Sequence, residues 1–331
     1  MSFTEALTGP VPVTILTGFL GSGKTTLLNR ILSEKHGQKI AVIENEFGEA
    51  GIDSELLINS EEQIVEVNNG CICCTVRGDL VRMLGRLAER REQGHVKFDR
   101  VIIETTGLAA PAPVAQTFFI EKKIAEYYLL DAIITIVDAK HALQQLNEYH
   151  EAQEQVGFAD RLLLSKNDLV SEVEVEGLIN RLKAINPRAQ IDKVHFGKTE
   201  LSKILDIRGF NLDALLEVEP EFLKGDSHKH HTDISSFVFR SNQPFIHKKL
   251  EAFLNDMIQG FWMDLLRYKG VLYLKNENAR FVFQGVHTMM DAIPGKPWGV
   301  DENKENVIVF IGRNLPKEFF LKSLESCLAT S

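Results

Sequence analysis

The stretch Gly18-Phe19-Leu20-Gly21-Ser22-Gly23-Lys24-Thr25-Thr26 decides the fold of this chain. Its order of Gly, four residues, Gly, Lys and Thr is typical of a loop that wraps a polyphosphate with backbone N–H groups. The helix that follows adds its positive N-terminal end, Lys24 supplies a cation for the β- and γ-phosphates, and the Thr25 hydroxyl can ligate Mg²⁺. A buried strand before the loop and apolar residues at helical spacing after it favour this interpretation over an incidental glycine-rich turn. The chain is predicted to bind a nucleotide.

The composition is typical of a globular protein. The chain has 331 residues, of which 44% are hydrophobic, so it can build a sizeable core and about two domains. Its 46 acidic residues outnumber 37 basic ones, and the net charge of −9 disfavours a general nucleic-acid surface. Apolar runs are too short for a membrane span, and the first residues lack the pattern of a secretory signal. A cytoplasmic location without membrane contact is expected.

Short buried strands alternate with helical stretches through the first two thirds of the chain. The strands are predicted at 13–16, 39–43, 63–67, 100–103, 131–137 and 161–164. This alternation predicts an α/β fold with a doubly wound, mostly parallel P-loop NTPase sheet. In such a sheet the carboxyl ends of the strands face the ligand, so the loops that leave them are the candidates for the site.

The character of the sequence changes near residue 220. Residues 223–233 are polar and turn-forming, and they are predicted to be a linker between a first domain, 1–222, and a smaller C-terminal α+β domain, 234–331. Within the second domain a helix is predicted near 244–258 and another at the end of the chain. Strands are predicted there at 234–240, 271–275, 279–284 and 307–311.

The second half of a nucleotide-hydrolysing site is predicted after strand 100–103. Glu104 ends this hydrophobic strand, and Gly107 carries an N–H that can meet the γ-phosphate. The loop Glu44-Asn45-Glu46-Phe47-Gly48-Glu49 leaves the second strand and brings more carboxylates near the phosphates. Because these would repel the nucleotide unless they faced a metal ion, Glu44 and Glu49 are candidate metal ligands. An exposed surface loop is the alternative.

The stretch Ser165-Lys166-Asn167-Asp168 follows the last strong strand of the first domain. The carboxylate of Asp168 can accept hydrogen bonds from N1–H and the 2-amino group of guanine, whereas adenine presents a lone pair at N1. The stem of Lys166 can lie against the base. The pattern is close to the Asn-Lys-x-Asp guanine reader of GTPases, but Ser165 replaces the usual Asn and so removes an amide that braces the loop. GTP is the predicted nucleotide, and a plain turn capped by Asp168 is the alternative.

Three of the four cysteines, Cys71, Cys73 and Cys74, lie within four residues of one another. Thiolates are soft ligands that suit Zn²⁺ or Cu⁺, and cytosolic cysteines stay reduced. A site with three sulfurs needs a fourth ligand from a carboxylate, a histidine, water or a partner, and such an incomplete shell suits a metal donor. We therefore hypothesise that the three cysteines share a metal ion with Glu44 or Glu49. Small buried side chains or a redox pair are the alternatives.

Together these motifs resemble those of the CobW-type metallochaperone GTPases, which are related to the nickel-insertion GTPases of urease and hydrogenase maturation. The resemblance rests on Gly18–Thr26, Glu44–Gly48, Gly70–Cys74, Glu104–Gly107, Ser165–Asp168, Phe283–His287 and Phe310–Arg313. It implies that 1–222 is a GTPase domain and that 234–331 is the C-terminal domain of this family. It also implies slow GTP hydrolysis with Mg²⁺, zinc or a similar divalent ion at the cysteines, and delivery of that metal to a client metalloprotein.

Two other functions fit the same residues. One is a nucleotide-dependent metal sensor or store that does not transfer its metal, and the other is a P-loop kinase with a structural zinc. Release of metal during GTP turnover would distinguish a transferring GTPase from a store. A kinase needs an acceptor site, which the sequence does not indicate. The client and the oligomeric state are left open, and a homo-oligomer is one of the options.

Overall fold

The computed structural model describes residues 10–34, 36–45, 76–207, 234–299 and 302–329. Within these ranges the chain forms a parallel sheet and then an antiparallel sheet, each with its own helices. The predicted strand 63–67 and the predicted linker 223–233 lie outside the described residues.

The first sheet is built from the hydrophobic strands in the first two thirds of the chain. Its strands are β1 (Val11–Gly18), β2 (Ile40–Asn45), β3 (Arg100–Thr105), β4 (Tyr128–Asp138), β5 (Arg161–Ser165) and β6 (Gln190–Lys193). They lie in the order β2-β3-β1-β4-β5-β6, and every neighbouring pair is parallel. The predicted doubly wound P-loop NTPase sheet is confirmed. The sequence did not indicate β6, because its four residues contain a single apolar side chain.

Helices cover both faces of this sheet, as a parallel sheet requires. They are α1 (Lys24–Ser33), α2 (Val76–Glu92), α3 (Ala112–Ile120), α4 (Lys122–Tyr127), α5 (Ala142–Glu148), α6 (His150–Phe158) and α7 (Glu172–Ile185). Side chains at helical spacing, such as Leu27, Leu28 and Ile31 of α1, are buried against the strands. None of the helices in the described ranges is both long and apolar enough to span a membrane.

The second sheet is antiparallel and forms a smaller α+β unit, as predicted. Its strands are β7 (Ile234–Ser241), β8 (Leu265–Leu272), β9 (Ala279–Val286), β10 (Met289–Pro297) and β11 (Asn306–Arg313), in the order β10-β9-β8-β11-β7. Two helices, α8 (His247–Phe261) and α9 (Lys317–Ser326), pack on one face, where Phe320 of α9 contacts the rings of Phe237 and Phe310.

The prediction of a strand at 271–275 was wrong in its position. The strand is β8, which starts six residues earlier and is buried along its whole length, although it contains Arg267 and Lys269. Two cations at alternate positions are typical of a solvent-facing strand. Here both side chains can be buried because a carboxylate from the parallel-sheet half of the chain pairs with them. The sequence also did not indicate β10.

That carboxylate is Asp160, which lies between α6 and β5. Its Oδ1 accepts from Arg267 at 2.6 Å and from Lys269 at 2.7 Å, and its Oδ2 accepts from the backbone N–H of Ile133 at 2.8 Å. Burial opposes the charge of Asp160, but the two cations outweigh it and hold the pKa of this carboxyl below its ordinary value. Burial, together with the neighbouring Arg267, lowers the pKa of Lys269 to about 7 even though Asp160 favours the charged form.

We expect the stability of the parent protein, relative to the Lys269→Met variant, to rise between pH 7 and the ordinary pKa of lysine. The folded parent releases the proton of Lys269 near pH 7, whereas its unfolded chain keeps that proton to a higher pH. Stability rises wherever the unfolded state binds more protons, so the parent gains in this window. Methionine does not titrate and leaves Asp160 paired with Arg267. Urea unfolding at a series of pH values measures the difference.

Lys193→Met is the matched control, because Lys193 is partly exposed and pairs with Glu172 at the surface. Its removal changes the charge by the same amount without emptying a buried site. The stability difference between the parent and Lys193→Met should therefore show no comparable rise in this window, because both proteins keep Lys269. A pH-independent difference for Lys269→Met would mean that Lys269 stays charged in the folded protein.

Candidate nucleotide-binding site

The phosphate loop connects the end of β1 to the start of α1, and its backbone requires glycine at two positions. Gly18 has a φ of +146°, and a Cβ there would lie 2.4 Å from the carbonyl oxygen of Ile136. Gly23 precedes α1 with a φ of +104°, and within the described chain no side chain caps this helix. The first turn of α1 also lacks acidic residues. The N–H groups at the start of α1 are therefore left to bind an anion.

Lys24, the first residue of α1, holds its ammonium group over this loop. Its Nζ donates to the carbonyl oxygen of Gly18 at 2.9 Å and to that of Phe19 at 3.4 Å, and the side chain is buried. A phosphate oxygen can replace these neutral acceptors with a charged one and so form a stronger hydrogen bond. Thr26, the last residue of the predicted loop, is exposed on α1.

Thr25 meets Glu104 between the phosphate loop and the end of β3. The hydroxyl of Thr25, in the first turn of α1, donates to Glu104 Oε1 of β3 at 3.3 Å. A hydroxyl and a carboxylate are oxygen ligands of the kind that Mg²⁺ prefers, and one or two protein ligands beside substrate phosphates are its usual arrangement. The side chains at this point therefore fit a magnesium ion.

The loop after β3 packs directly against the phosphate loop. A Cβ at Gly107 would lie 2.6 Å from the backbone nitrogen of Leu20 and 2.7 Å from its Cα, so only glycine fits without movement. Thr105, two residues before Gly107, donates its hydroxyl hydrogen to Thr17 Oγ1 at 2.8 Å and so links β3 to β1. This close approach supports the prediction that Gly107 presents its N–H to the γ-phosphate.

Two buried hydroxyl groups at this edge have no hydrogen-bond partner among the described residues. They are Ser22 Oγ in the phosphate loop and Thr106 Oγ1 in the loop after β3. A buried hydroxyl without a partner costs free energy of about 1–3 kcal/mol. Both loops are those predicted to contact the phosphates, and a bound polyphosphate would supply acceptors for such groups.

The predicted guanine-reading loop is tied to the phosphate loop by the residue that departs from the usual pattern. Ser165 Oγ lies 2.6 Å from the carbonyl oxygen of Ser22, to which it donates. The side-chain amide of Asn167 braces the same loop by donating to the carbonyl oxygens of Leu164 and Val194, at 3.0 and 3.1 Å. The bracing amide expected at position 165 is thus replaced by one two residues later.

Lys166 is held by a buried carboxylate that the sequence analysis did not single out. Its backbone is left-handed, with a φ of +54°, and its Nζ lies 2.8 Å from Asp138 Oδ2. His141 Nδ1 contacts the same oxygen at 2.9 Å, and the N–H of Lys140 donates to Asp138 Oδ1 at 3.0 Å. Burial raises the pKa of Asp138, but these partners outweigh burial and lower it below its ordinary value. The sequence signal that could have identified Asp138 is an acidic residue at the end of a buried strand.

Asp168 is 45% exposed and lies beside a loop that the sequence analysis also missed. His195, which follows β6, places Nδ1 at 3.5 Å from Asp168 Oδ1. The next residue, Phe196, has a φ of +48° and is 73% exposed. Because β6 itself was not predicted, its polar and aromatic exit loop carried no recognisable signal. The structure brings this loop to the same edge of the sheet as Asp168.

Of the predicted zinc ligands, only Glu44 is among the residues that the structure describes. Cys71, Cys73, Cys74 and Glu49 lie outside the described residues. The backbone of Glu44 lies in β2, where it is the register partner of Glu104 in β3. Among the residues that the structure describes, no group of three or more His, Cys, Asp and Glu side chains could hold a metal ion.

Two known protein families match this chain. Residues 12–193 match the family described as CobW/HypB/UreG, nucleotide-binding domain. Residues 234–328 match the family described as Cobalamin synthesis protein cobW C-terminal domain. The first match contains the phosphate loop, Glu104, Gly107 and the guanine-reading loop, and the second contains the whole antiparallel sheet.

Individual relatives match over nearly their full length. The chain is 43% identical to the zinc chaperone YjiA of Escherichia coli K12, over 93% of this chain and 96% of that protein. It is 32% identical to the zinc-regulated GTPase metalloprotein activator 1 of Schizosaccharomyces pombe, over 92% of this chain and 83% of the relative. The crystal structure of Zn(II)-bound YjiA GTPase from E. coli covers 97% of this chain and 100% of its own, with a TM-score of 0.78 and 36% identity. The similarity therefore extends over both sheets.

The Gly107→Ala variant should fold but hydrolyse GTP poorly. The added Cβ would collide with the backbone of Leu20, which cannot rotate away as a side-chain tip could, so the loop after β3 must move. Losing one aligned transition-state donor typically costs about 10²–10³-fold in turnover. Steady-state GTP hydrolysis with saturating Mg²⁺, together with thermal unfolding, measures both effects.

Gly85→Ala is the control for adding a methyl group to a glycine. Gly85 lies in α2, and a Cβ there would meet no atom within 4 Å among the described residues. This variant should gain about 0.5–1 kcal/mol of stability, as alanine does over glycine within a helix, and should keep its turnover. Parental turnover in Gly107→Ala would show that the loop contact does not matter to hydrolysis.

Proposed function

The chain belongs to the CobW/HypB/UreG family, and on this basis we propose that it is a GTPase that couples GTP hydrolysis to the delivery of zinc, or a similar divalent metal, to client proteins. The observation that carries the proposal is the contact of Thr25 with Glu104 beside the phosphate loop, over which Lys24 holds its ammonium group. Relatives that match over most of their length are named zinc chaperone and zinc-regulated GTPase metalloprotein activator.

The phosphate loop and the start of α1 would hold the polyphosphate of GTP. Lys24 would exchange its loop carbonyls for oxygens of the β- and γ-phosphates, and Gly107 would donate its N–H to the γ-phosphate. Both groups would then stabilise the charge that spreads over the transferring phosphoryl group. Preorganised charges and donors of this kind are the main source of catalysis in phosphoryl transfer.

Thr25 and Glu104 would hold Mg²⁺, either directly or through water. When bound, Mg²⁺ would neutralise the negative charge that develops on the phosphates during transfer. The contact between Thr25 Oγ1 and Glu104 Oε1 supports this role, because it keeps two hard oxygen ligands together beside the phosphate loop.

Asp168 would accept hydrogen bonds from the guanine ring, and Lys166 would lie along its face. The salt bridge from Lys166 to buried Asp138 supports this assignment, because it fixes the end of a long side chain and leaves the stem to contact a base. His195 lies close enough to Asp168 to orient its carboxylate.

Zinc would be the cargo, held by Cys71, Cys73 and Cys74 with Glu44 or Glu49 as a further ligand. Glu44 pairs in register with Glu104, so one proposed zinc ligand belongs to the strand beside the nucleotide site. Closure of the acidic loop around GTP, and its relaxation after hydrolysis, would alter the ligand set, as switch loops do in other GTPases.

A metal store that uses the same residues is the second candidate. The names of the relatives favour transfer, and only transfer requires the metal to leave during GTP turnover. The identity of the client, the formation of a homo-oligomer and a cytoplasmic location stay predictions from the sequence.

We expect GTP to change the affinity for zinc, and zinc to change the affinity for GTP by the same factor, about 5–150-fold. Zinc is titrated against a competing chelator in the apo, GDP-bound and non-hydrolysable GTP-bound states. Cys73→Ala should lose the high-affinity site. Cys327→Ala is the matched control, because this fourth cysteine is buried in the second sheet's core, where its Sγ contacts the carbonyl oxygens of Lys249 and Ser323.

Equal zinc affinity in all three nucleotide states would contradict coupling. Zinc that stays bound throughout GTP turnover, even with an excess of chelator, would favour the store. Loss of zinc binding in Cys327→Ala as well as in Cys73→Ala would show that the triplet is not the specific site.

The Asp168→Asn variant should lose affinity for GTP and gain affinity for xanthosine triphosphate. An amide N–H can donate to the carbonyl group at C2 of xanthine, whereas it cannot accept the two guanine hydrogen bonds. Competition binding with GTP, ATP and xanthosine triphosphate measures the change. Glu172→Gln, a substitution at an exposed position that pairs with Lys193, is the control. Equal affinity of the parent for GTP and ATP would contradict guanine recognition.

A further inference from the structure

Gln155, in the middle of α6, is a buried polar residue whose side chain reaches the nucleotide edge of the sheet. It is 1% exposed, and its Nε2 donates to the carbonyl oxygens of Gly107 and Ala109, each at 3.1 Å. A primary amide has two N–H groups, so both are used by one short loop. This loop is the one that packs against Leu20 of the phosphate loop.

The two hydrogen bonds fix the orientation of the loop backbone. Each trans peptide carries its C=O and the following N–H in opposite directions. With the carbonyl oxygens of Gly107 and Ala109 turned towards α6, the N–H groups of Leu108 and Ala110 are turned away from it. Ala109 also donates its N–H to the carbonyl oxygen of Thr106 at 3.1 Å, which closes the turn. Gln155 thus sets two peptide planes of the loop, and the bond from Ala109 to Thr106 holds the peptide that carries the N–H of Gly107.

The helix that carries Gln155 is held along its length. The carbonyl oxygen of Gln155 accepts from the hydroxyl of Thr135 in β4 at 2.7 Å. At the end of α6 the side-chain amide of Asn186 donates to the carbonyl oxygens of Val156 and Ala159, both at 2.9 Å. A helix anchored at successive turns keeps the Gln155 amide at a fixed position against the loop.

The antiparallel sheet supplies part of this anchoring. Arg267 of β8 donates to the carbonyl oxygen of Phe158, the last residue of α6, and Arg313 of β11 pairs with Glu154. A Cβ at Gly157 would lie at ordinary van der Waals distance, 3.6 Å, from the Ile311 side chain, so α6 faces the sheet here. The support for Gln155 therefore comes from both sheets.

The geometry points to Gln155 as a positioning residue that holds the Gly107–Ala109 loop in the arrangement that recognises the γ-phosphate. Gln155 is buried and contacts the carbonyl oxygens of the loop, so it would act through the loop backbone. The inference rests on the proposed function, in which Gly107 faces the γ-phosphate. It adds a residue outside the known motifs, and it gives the antiparallel sheet a part in nucleotide recognition.

The test compares affinities for GDP and for a non-hydrolysable GTP analogue in the parent and in Gln155→Met. Methionine has nearly the same shape but cannot donate, so the loop loses both hydrogen bonds. Affinity for the analogue and kcat should fall about 10–100-fold, the range seen when a residue that orients a metal ligand is replaced. Affinity for GDP should stay that of the parent, because the phosphate loop and the base loop are untouched.

Gln153→Met is the matched control on the same helix. Gln153 is also buried, but its Nε2 donates to the carbonyl oxygen of Leu146 at 2.8 Å and not to the loop. It should leave the ratio of analogue to GDP affinity unchanged. Equal losses for both nucleotides in Gln155→Met, or an unchanged ratio, would overturn the inference, because a purely structural residue gives those results.

Gln155→Asn keeps the polar amide but withdraws it from the loop, and it serves if the methionine variant is insoluble. It should lower the affinity for the analogue while leaving that for GDP unchanged, and equal losses would again overturn the inference. The binding readout is independent of turnover and of zinc. If the parent binds the analogue more tightly than GDP but neither hydrolyses GTP nor couples hydrolysis to zinc, the proposed function is wrong. The comparison of Gln155→Met with the parent still tests the inference in that case.

Discussion

The buried carboxylate of Asp160 lies at the contact between the two sheets and pairs with charges across it. It takes hydrogen bonds from Arg267 and Lys269 of the antiparallel sheet and from the backbone of β4 in the parallel sheet. A charge removed from water is tolerated only when it is fully paired, and removing one partner of such a pair typically costs about 3–5 kcal/mol. Because the partners belong to opposite sheets, separation would leave charges unpaired on both sides. The antiparallel sheet is therefore a fixed support for α6.

Hydrogen bonds through α6 connect the antiparallel sheet to the loop that is proposed to recognise the γ-phosphate. The end of α6 is bound by Arg267 on one side and by Asn186 of the parallel-sheet half on the other. From the same helix Gln155 holds the loop that contains Gly107. A loop that must distinguish a triphosphate from a diphosphate has to be placed within a fraction of an ångström, and loops are ordinarily the most mobile parts of a fold. Here the precision comes from the helix behind it.

The sequence predicted what depends on local backbone chemistry and missed what depends on distant partners. The phosphate loop follows from its own glycines, since a Cβ at Gly18 would meet the backbone. In contrast, β8 was misplaced because Arg267 is typical of an exposed strand, and its partner Asp160 lies 107 residues earlier. The same limit applies to the guanine-reading loop. From the sequence, Ser165 in place of Asn only removes an amide that braces the loop. The fold shows that the Ser165 hydroxyl donates to Ser22 and that the Asn167 amide braces the loop instead.

The spacing of the strands offers a physical reason for coupling a nucleotide to a metal in this family. Glu44 and Glu104 are register partners in β2 and β3, and β3 lies beside β1 and its phosphate loop. Two strand spacings, about 10 Å, therefore separate a proposed zinc ligand from the phosphate site. At that distance one unit of charge contributes about 1.7 kcal/mol with an effective dielectric constant of about 20. This lies within the coupling of about 1–3 kcal/mol that is typical between two sites. Loss of the negatively charged γ-phosphate would therefore weaken a cation bound near Glu44 even without any movement of the chain, and its sign favours release of the metal after hydrolysis.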